Sequence, residues 1–209
     1  MTSLVEKYRP VCLEDIVGQD AIKQRLAFIR DTQGLLGQAF WLCGPPGLGK
    51  TTAGRIVVDT VQQHWDRHEI DAADLNLDTI RGWEEKCRSK PMGCDGWGFL
   101  INEAHNLRPA IAERLLTTLE KPTVVKNSVW VFTTSQKSLF GGAFSSRLDE
   151  FEFRSGEQVV LSWAIRLREI ARLENLDGRP LEDYITMFRR CDCNPRAALR
   201  LIGRGEFKA

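Results

Sequence analysis

Along the first twenty residues the apolar positions follow no sustained period. From Asp20 they do. Asp20 stands as a helix N-cap, and Ile22, Leu26 and Ile29 then recur at i, i+4 and i+7. A turn-forming stretch, Gln33 to Gln38, ends that pattern. Ala39-Phe40-Trp41-Leu42-Cys43 is apolar on both faces, as a strand buried on each side must be. A Gly/Pro-rich loop follows, and a helix is predicted from Lys50 to Trp65. The alternation then repeats, with a strand at Ile70 to Ala73, a helix at Thr79 to Arg88 and a strand at Gly98 to Ile101. Pro109 suits the first turn of a helix whose core face is Ile111, Leu115 and Leu119. Ser128 to Phe132 is a further buried strand, and Phe151 to Phe153 an edge strand. Short apolar strands alternating with helices predict right-handed βαβ units: an α/β fold, a parallel sheet covered by helices on both faces in a three-layer αβα arrangement.

After Arg154 only the helical period remains. Val160, Trp163, Ala164, Leu167, Ile170 and Ala171 form one apolar stripe. Gly178-Arg179-Pro180 breaks it, and helical patterns resume around Tyr184 to Phe188 and Ala197 to Ile202. A boundary at Arg154–Ser155 therefore divides an α/β domain, residues 1–154, from a small all-α domain, residues 155–209. The second is near the lower size limit for folding alone. No internal repeat is present.

Composition narrows the class. At 209 residues with 43% apolar content the chain can bury a globular core. Its 29 Lys plus Arg against 28 Asp plus Glu leave a net charge of +1, which excludes a polyanion-coating basic protein and permits only local basic surfaces. No apolar run approaches the ~18 residues of a membrane span, and the start lacks a signal-peptide pattern. The six cysteines are scattered rather than arranged as staples. A reduced, cytoplasmic protein is expected, or a viral one in its host's cytoplasm.

The sharpest local signal is Gly44-Pro45-Pro46-Gly47-Leu48-Gly49-Lys50-Thr51, which satisfies G-x-x-x-x-G-K-[ST] between a strand and a helix. The glycines let consecutive backbone N–H groups turn inward on phosphate oxygens, and the helix directs its positive end at the same anion. Lys50 supplies charge to the β- and γ-phosphates, and the Thr51 hydroxyl is a ligand for Mg²⁺. Thr52 continues the cradle. ATP and Mg²⁺ are the expected cofactors. The strand Gly98 to Ile101 runs into Asn102-Glu103-Ala104-His105, which resembles a Walker B segment with an amide in place of its first acid. Asn102 can hold a metal-bound water but brings no negative charge, so weak metal retention and slow hydrolysis are expected. Glu103 is the candidate to orient the attacking water.

Beyond these motifs, Glu6-Lys7-Tyr8-Arg9-Pro10 with Val17-Gly18-Gln19 resembles the opening of the sliding-clamp loader ATPases, especially replication factor C small subunits, in the AAA+ family. Asp71-Ala72-Ala73-Asp74, Thr79-Ile80-Arg81 and Ser89-Lys90-Pro91 are similar to that family's stretch between the Walker motifs. The resemblance implies that Tyr8, Arg9 and Val17 lie against the adenine. It implies that Thr134, in Thr133-Thr134, is the sensor 1 residue reading the γ-phosphate. Ser145-Ser146-Arg147 resembles the "SRC" motif with Leu148 for its cysteine, which makes Arg147 an arginine finger acting on a neighbour's ATP. Asn194-Pro195-Arg196-Ala197-Ala198-Leu199 resembles the lid motif, which makes Arg196 sensor 2 and the helical domain the lid, with ATP in the crevice before it. Other AAA+ subunits, a sliding clamp and primer-template DNA are the implied partners, and no membrane. Two departures stand out: Asn102, and the family's helical collar, which this sequence does not include. A subunit using ATP structurally, or a motor like the branch-migration helicases, are the alternative readings.

Weaker signals remain. Arg81, Lys86, Arg88 and Lys90 cluster where the family faces DNA, although Glu84 and Glu85 interleave as on a solvated helix face. His64 and His68 at i, i+4, with Cys87 and Cys94 downstream, do not reproduce a zinc module's clustered cysteines. Cys191 and Cys193 lack a second ligand pair. Trp41, Trp130 and Trp163 are expected in packing.

Overall fold

The computed structural model describes residues 3–62, 67–136 and 146–207. The chain folds as two compact units. One comprises Arg25–Gly44 with Lys50–Glu152, and the other Met1–Gln24, Pro45–Gly49 and Phe153–Ala209.

The larger unit is a five-stranded sheet of β1 (Ala39–Cys43), β2 (His68–Asp71), β3 (Trp97–Asn102), β4 (Ser128–Thr134) and β5 (Asp149–Glu152), in the order β2-β3-β4-β1-β5. Every pairing is parallel, as the strand–helix alternation predicts. The sequence places these strands to within about two residues, with β2 and β5 beginning two residues earlier than their apolar runs. Both are edge strands, only partly buried, so the ladder extends beyond the hydrophobic signal.

Helix α3 (Lys50–Val61) covers one face. Its approach is close because two glycines leave room: a Cβ on Gly98 would lie 2.4 Å from Val58 Cγ1, and one on Gly54 would lie 2.7 Å from Leu100 Cδ1. The other face carries α4 (Leu77–Lys86) and α5 (Pro109–Leu119). There Phe99, Ile101, Trp130 and Phe132 meet Ile80, Trp83, Ile111 and Leu115 in one core. Asn76 caps α4 by accepting from Thr79 N at 2.9 Å, and Pro109 opens α5. Glu84 ties the two helices, accepting from Arg114 at 2.6 Å, Lys121 at 2.7 Å and Thr118 Oγ1 at 2.6 Å. A short helix, α6 (Pro122–Val125), follows without a sequence signal long enough to predict it.

The smaller unit is helical. It contains α1 (Leu4–Lys7), α7 (Glu157–Leu173), α8 (Leu181–Arg190) and α9 (Pro195–Gly203); α2 (Asp20–Thr32) begins in this unit and ends in the other. Val160, Ala164, Leu167, Ile170, Tyr184, Phe188, Ala198 and Ile202 build its core, with Leu4, Val5 and Tyr8 packed on them. That packing draws the first two dozen residues to the helices, so the units differ from a single cut at Arg154–Ser155. Only the C-terminal break, at Phe153, lies beside that cut. Trp41 and Trp130 are buried in the sheet core, and Trp163 stacks on Phe188 with ring centroids 6.0 Å apart.

Two outcomes follow from this packing. Gly98→Ala forces a methyl into Val58 and should cost about 1–3 kcal/mol, read as a lowered Tm. Burial pushes the Glu84 carboxyl up, but its bonds to Lys121 and Thr118 and the charges of Lys121 and Arg114 outweigh this and hold it below the ordinary 4.5. The unfolded chain therefore takes up this proton first as pH falls. Glu84→Gln should be roughly 1–3 kcal/mol less stable at pH 7, with the gap closing below pH ~4, by thermal denaturation across pH.

Candidate nucleotide site

The parallel register sets the site. Leu42 pairs with Thr133 and Cys43 with Thr134, while Ile101 pairs with Phe132, so β1, β3 and β4 end side by side. Ligands of open α/β sheets bind outside such carboxyl ends. From Cys43 the chain enters the Gly44–Gly49 loop, and Lys50 and Thr51 are the first residues of α3.

Gly44, Gly47 and Gly49 all have positive φ, at 137°, 84° and 97°, so the loop uses the left-handed freedom that its glycines predict. At Gly47 a side chain is excluded twice, since a Cβ would also lie 2.2 Å from Asn194 Oδ1. Lys50 is buried, and its ammonium donates to Gly44 O at 2.7 Å. Thr51 Oγ1 donates to Asn102 Oδ1 at 3.1 Å, and Thr133 Oγ1 donates to the same oxygen at 2.9 Å. Behind them, Asn102 Nδ2 donates to Glu69 Oε1 at 2.9 Å, and Arg55 clasps Glu69 with two bonds of 2.8 Å. Arg67 Nη1 lies 3.7 Å from Glu69 and pairs with Asp59. Burial raises the Glu69 carboxyl, but the Arg55 bonds and charge, the Asn102 amide and Arg67 together hold it below its ordinary range.

Glu103 follows Asn102 in the left-handed region, at φ 50° and ψ 47°. A residue with a side chain holds that conformation at a cost of about 1–3 kcal/mol, which turns the chain sharply at the strand end. The half-exposed Glu103 carboxylate lies 3.4 Å from His105 Nδ1, and the same nitrogen lies 3.3 Å from Thr134 Oγ1. Thr134 is fully buried and also exchanges bonds with Gln136, accepting from its N at 3.1 Å and donating to its O at 3.2 Å. The two threonines thus divide the work: Thr133 faces Asn102 and Thr134 faces His105.

Arg147 is bound within its own chain. Its Nε donates to Glu120 Oε1 at 2.9 Å, its Nη2 also reaches that oxygen, and Nη1 donates to Ser146 at 3.3 Å. Ser145 lies outside the described residues, as do His64 and Trp65. In the helical unit, Asn194 caps α9 by accepting from Arg196 N at 3.0 Å and Ala197 N at 3.3 Å, and its Nδ2 donates to Pro46 O at 3.4 Å. The Arg196 side chain is exposed in that first turn. Tyr8 is half-buried and donates its hydroxyl to Glu174 at 2.5 Å, Arg9 pairs with Glu6, and Val17 is half-buried. Of the basic cluster, Arg81 pairs with Asp78 and Arg88 with Glu85, and the Lys86 ammonium sits 4.8 Å from the Trp97 ring centroid.

The donor set suits a hard cation. The Thr51 hydroxyl and the Asn102 carbonyl are neutral oxygens beside a phosphate loop, and no group of three or more His, Cys, Asp or Glu side chains competes among the described residues. Sequence reading missed Arg55, Glu69 and His105. Arg55 stands four residues after Thr51, on the same helix face, but its partner on β2 is known only from the folded register.

Residues 40–155 match the ATPase family associated with various cellular activities (AAA). The chain is 32% identical over 180 residues to a replication factor C small subunit of Methanothermobacter thermautotrophicus, covering 83% of this chain and 54% of that protein. It is 28% identical over 199 residues to the DNA polymerase III subunit tau of Bacillus subtilis, covering 83% and 34%. It thus spans from about a third to about half of the length of these relatives. In fold it superposes on the Thermotoga maritima RuvB Holliday junction branch migration motor with a TM-score of 0.74, at 23% identity, over 94% of this chain and 64% of that one. With a phosphate loop leaving β1, which lies between β4 and β5 in a β2-β3-β4-β1-β5 sheet, and a family match over more than half its residues, the chain belongs to the AAA family of ATPases, where it is similar to replication factor C small subunits.

Proposed function

We propose that this chain is the ATP-binding and ATP-hydrolysing module of a clamp-loader-like replication assembly, with Lys50, Thr51, Asn102 and Glu103 as the core of its site. One observation carries the reading: the Thr51 hydroxyl, at the start of the helix after the phosphate loop, meets Asn102 at the end of β3 at 3.1 Å.

The chemistry follows from the side chains. Lys50 exchanges the Gly44 carbonyl for β- and γ-phosphate oxygens, and the loop's N–H groups bind the same anion. Thr51 and Asn102 would hold Mg²⁺, which, when bound, neutralises charge developing on the phosphates. Glu103 orients the attacking water, and Thr134 senses the γ-phosphate, with His105 linking the two. Arg196 is a second γ-phosphate sensor, and Tyr8, Arg9 and Val17 flank the adenine. Arg147 leaves Glu120 and acts on the ATP of an adjoining subunit; an exposed pair of this kind is worth only about 0–1 kcal/mol. Partners of the assembly are other AAA+ subunits, a sliding clamp and primer-template DNA. As domains, residues 1–154 act as the ATPase and 155–209 as its lid. The neutral Asn102 favours a second reading, in which ATP is held structurally with little turnover.

Three outcomes test this. Lys50→Ala should weaken ATP binding at least about tenfold by calorimetry. Glu103→Gln should keep ATP affinity within about threefold yet lower kcat by about 10²–10⁴, and unchanged turnover would leave the structural reading. Arg147→Ala should lose DNA-stimulated turnover, and admixed Lys50→Ala copies, which carry an intact Arg147, should restore it. Failure of that rescue would remove the trans role.

A further inference from the structure

We infer that Glu69 is a positioning residue that fixes which end of the Asn102 amide faces Thr51. The inference rests on the nucleotide reading above and gives it a cause it otherwise lacks: why an amide can stand where the resemblance expects an acid.

An asparagine side chain has an acceptor end and a donor end, and only its partners decide which way it points. On the Thr51 side the partners are permissive, because the hydroxyls of Thr51 and Thr133 can each donate or accept. On the other side there is no freedom. Glu69 is clasped by both arms of Arg55, each at 2.8 Å, with Arg67 beyond, so it stands as an ionised carboxylate that only accepts. Its Oε1 lies 2.9 Å from the Asn102 nitrogen. The amide must therefore give its NH₂ to Glu69 and its carbonyl oxygen to Thr51 and Thr133. Reversed, it would set its oxygen against a carboxylate and present N–H groups where a cation is to bind.

Arg55 completes the device from the same helix that carries Thr51, one turn on. The carboxylate charge therefore sits behind the amide and is balanced by arginine, while the amide presents a neutral oxygen in front. Removing the acceptor at position 69 frees the amide to turn, since both threonines can accept from it.

The test compares two variants that lose the same ion pair. Glu69→Gln keeps a carbonyl that can accept from Asn102, and Glu69→Leu does not. The readout is the affinity of a fluorescent ATP analogue with and without Mg²⁺. Glu69→Leu should lose about 10–100-fold of the Mg²⁺-dependent tightening, with metal-free affinity unchanged, and Glu69→Gln should stay within about threefold of the parent. Equal losses in both variants, or an equal loss without Mg²⁺, would overturn the assignment. A second measurement needs neither nucleotide nor metal. In the unsubstituted protein the side-chain amide protons of Asn102, assigned by their disappearance in Asn102→Asp, should exchange more slowly than those of an exposed asparagine. Exchange as fast as an exposed asparagine's overturns the inference even if Glu69→Leu does not fold. Should the parent itself show no Mg²⁺-dependent nucleotide binding while these protons are protected, the nucleotide reading fails and the Glu69–Asn102 contact stands.

Discussion

The close approach of α3 to the sheet is the constraint on which the rest depends. Lys50 and Thr51 are its first residues, so their positions are those of a helix end held against β3 and β4. The helix sits as near as it does because Gly54 and Gly98 put no side chain in the gap. Strand alternation then decides which residues meet it. On β3, Leu100 and Asn102 share the face toward α3, while Phe99 and Ile101 enter the opposite core. A slip of one residue in β3 would put Ile101 or Glu103 in place of Asn102 at the Thr51 hydroxyl, so the burial pattern that fixes the sheet also fixes the site.

Charge around that contact is arranged in pairs. Arg55 and Arg67 face Glu69 and Asp59, and the amide of Asn102 stands between Glu69 and Thr51. In front of the amide oxygen stand the hydroxyls of Thr51 and Thr133, and the Lys50 ammonium bonds Gly44 O. Glu103 follows, and the left-handed turn after β3 carries it beyond the strand end.

In the helical unit, local polar chemistry serves packing. The N-terminal segment is tied to the end of α7 through Glu174, which accepts from Lys7 at 2.6 Å and from Tyr8. Asp177 accepts from Tyr184 at 2.8 Å and from Arg172 at 2.9 Å, joining α8 to the loop after α7. Asn194 both starts α9 and touches the loop segment Pro46–Gly47, which draws Pro45–Gly49 into this unit.

Elements with a strong period were legible from the chain alone. β1 spans the residues its apolar run predicts, α5 begins at Pro109, and β3 and β4 differ from expectation by one or two residues at their ends. The phosphate loop was legible too, because its geometry is dictated by consecutive residues: glycine φ, the lysine and the hydroxyl are properties of eight positions in a row. What only the tertiary structure decided was pairing between distant segments. Glu69 lies just before the strand that the sequence predicts at Ile70 to Ala73, Arg55 reads as one cation on a helix, and Tyr8 belongs to a start with no sustained period. Each found its partner 14, 33 or 166 positions away. Hydrophobic periodicity records which way a residue faces and says nothing of what it will face, since strand order and register arise from the packing of the whole sheet.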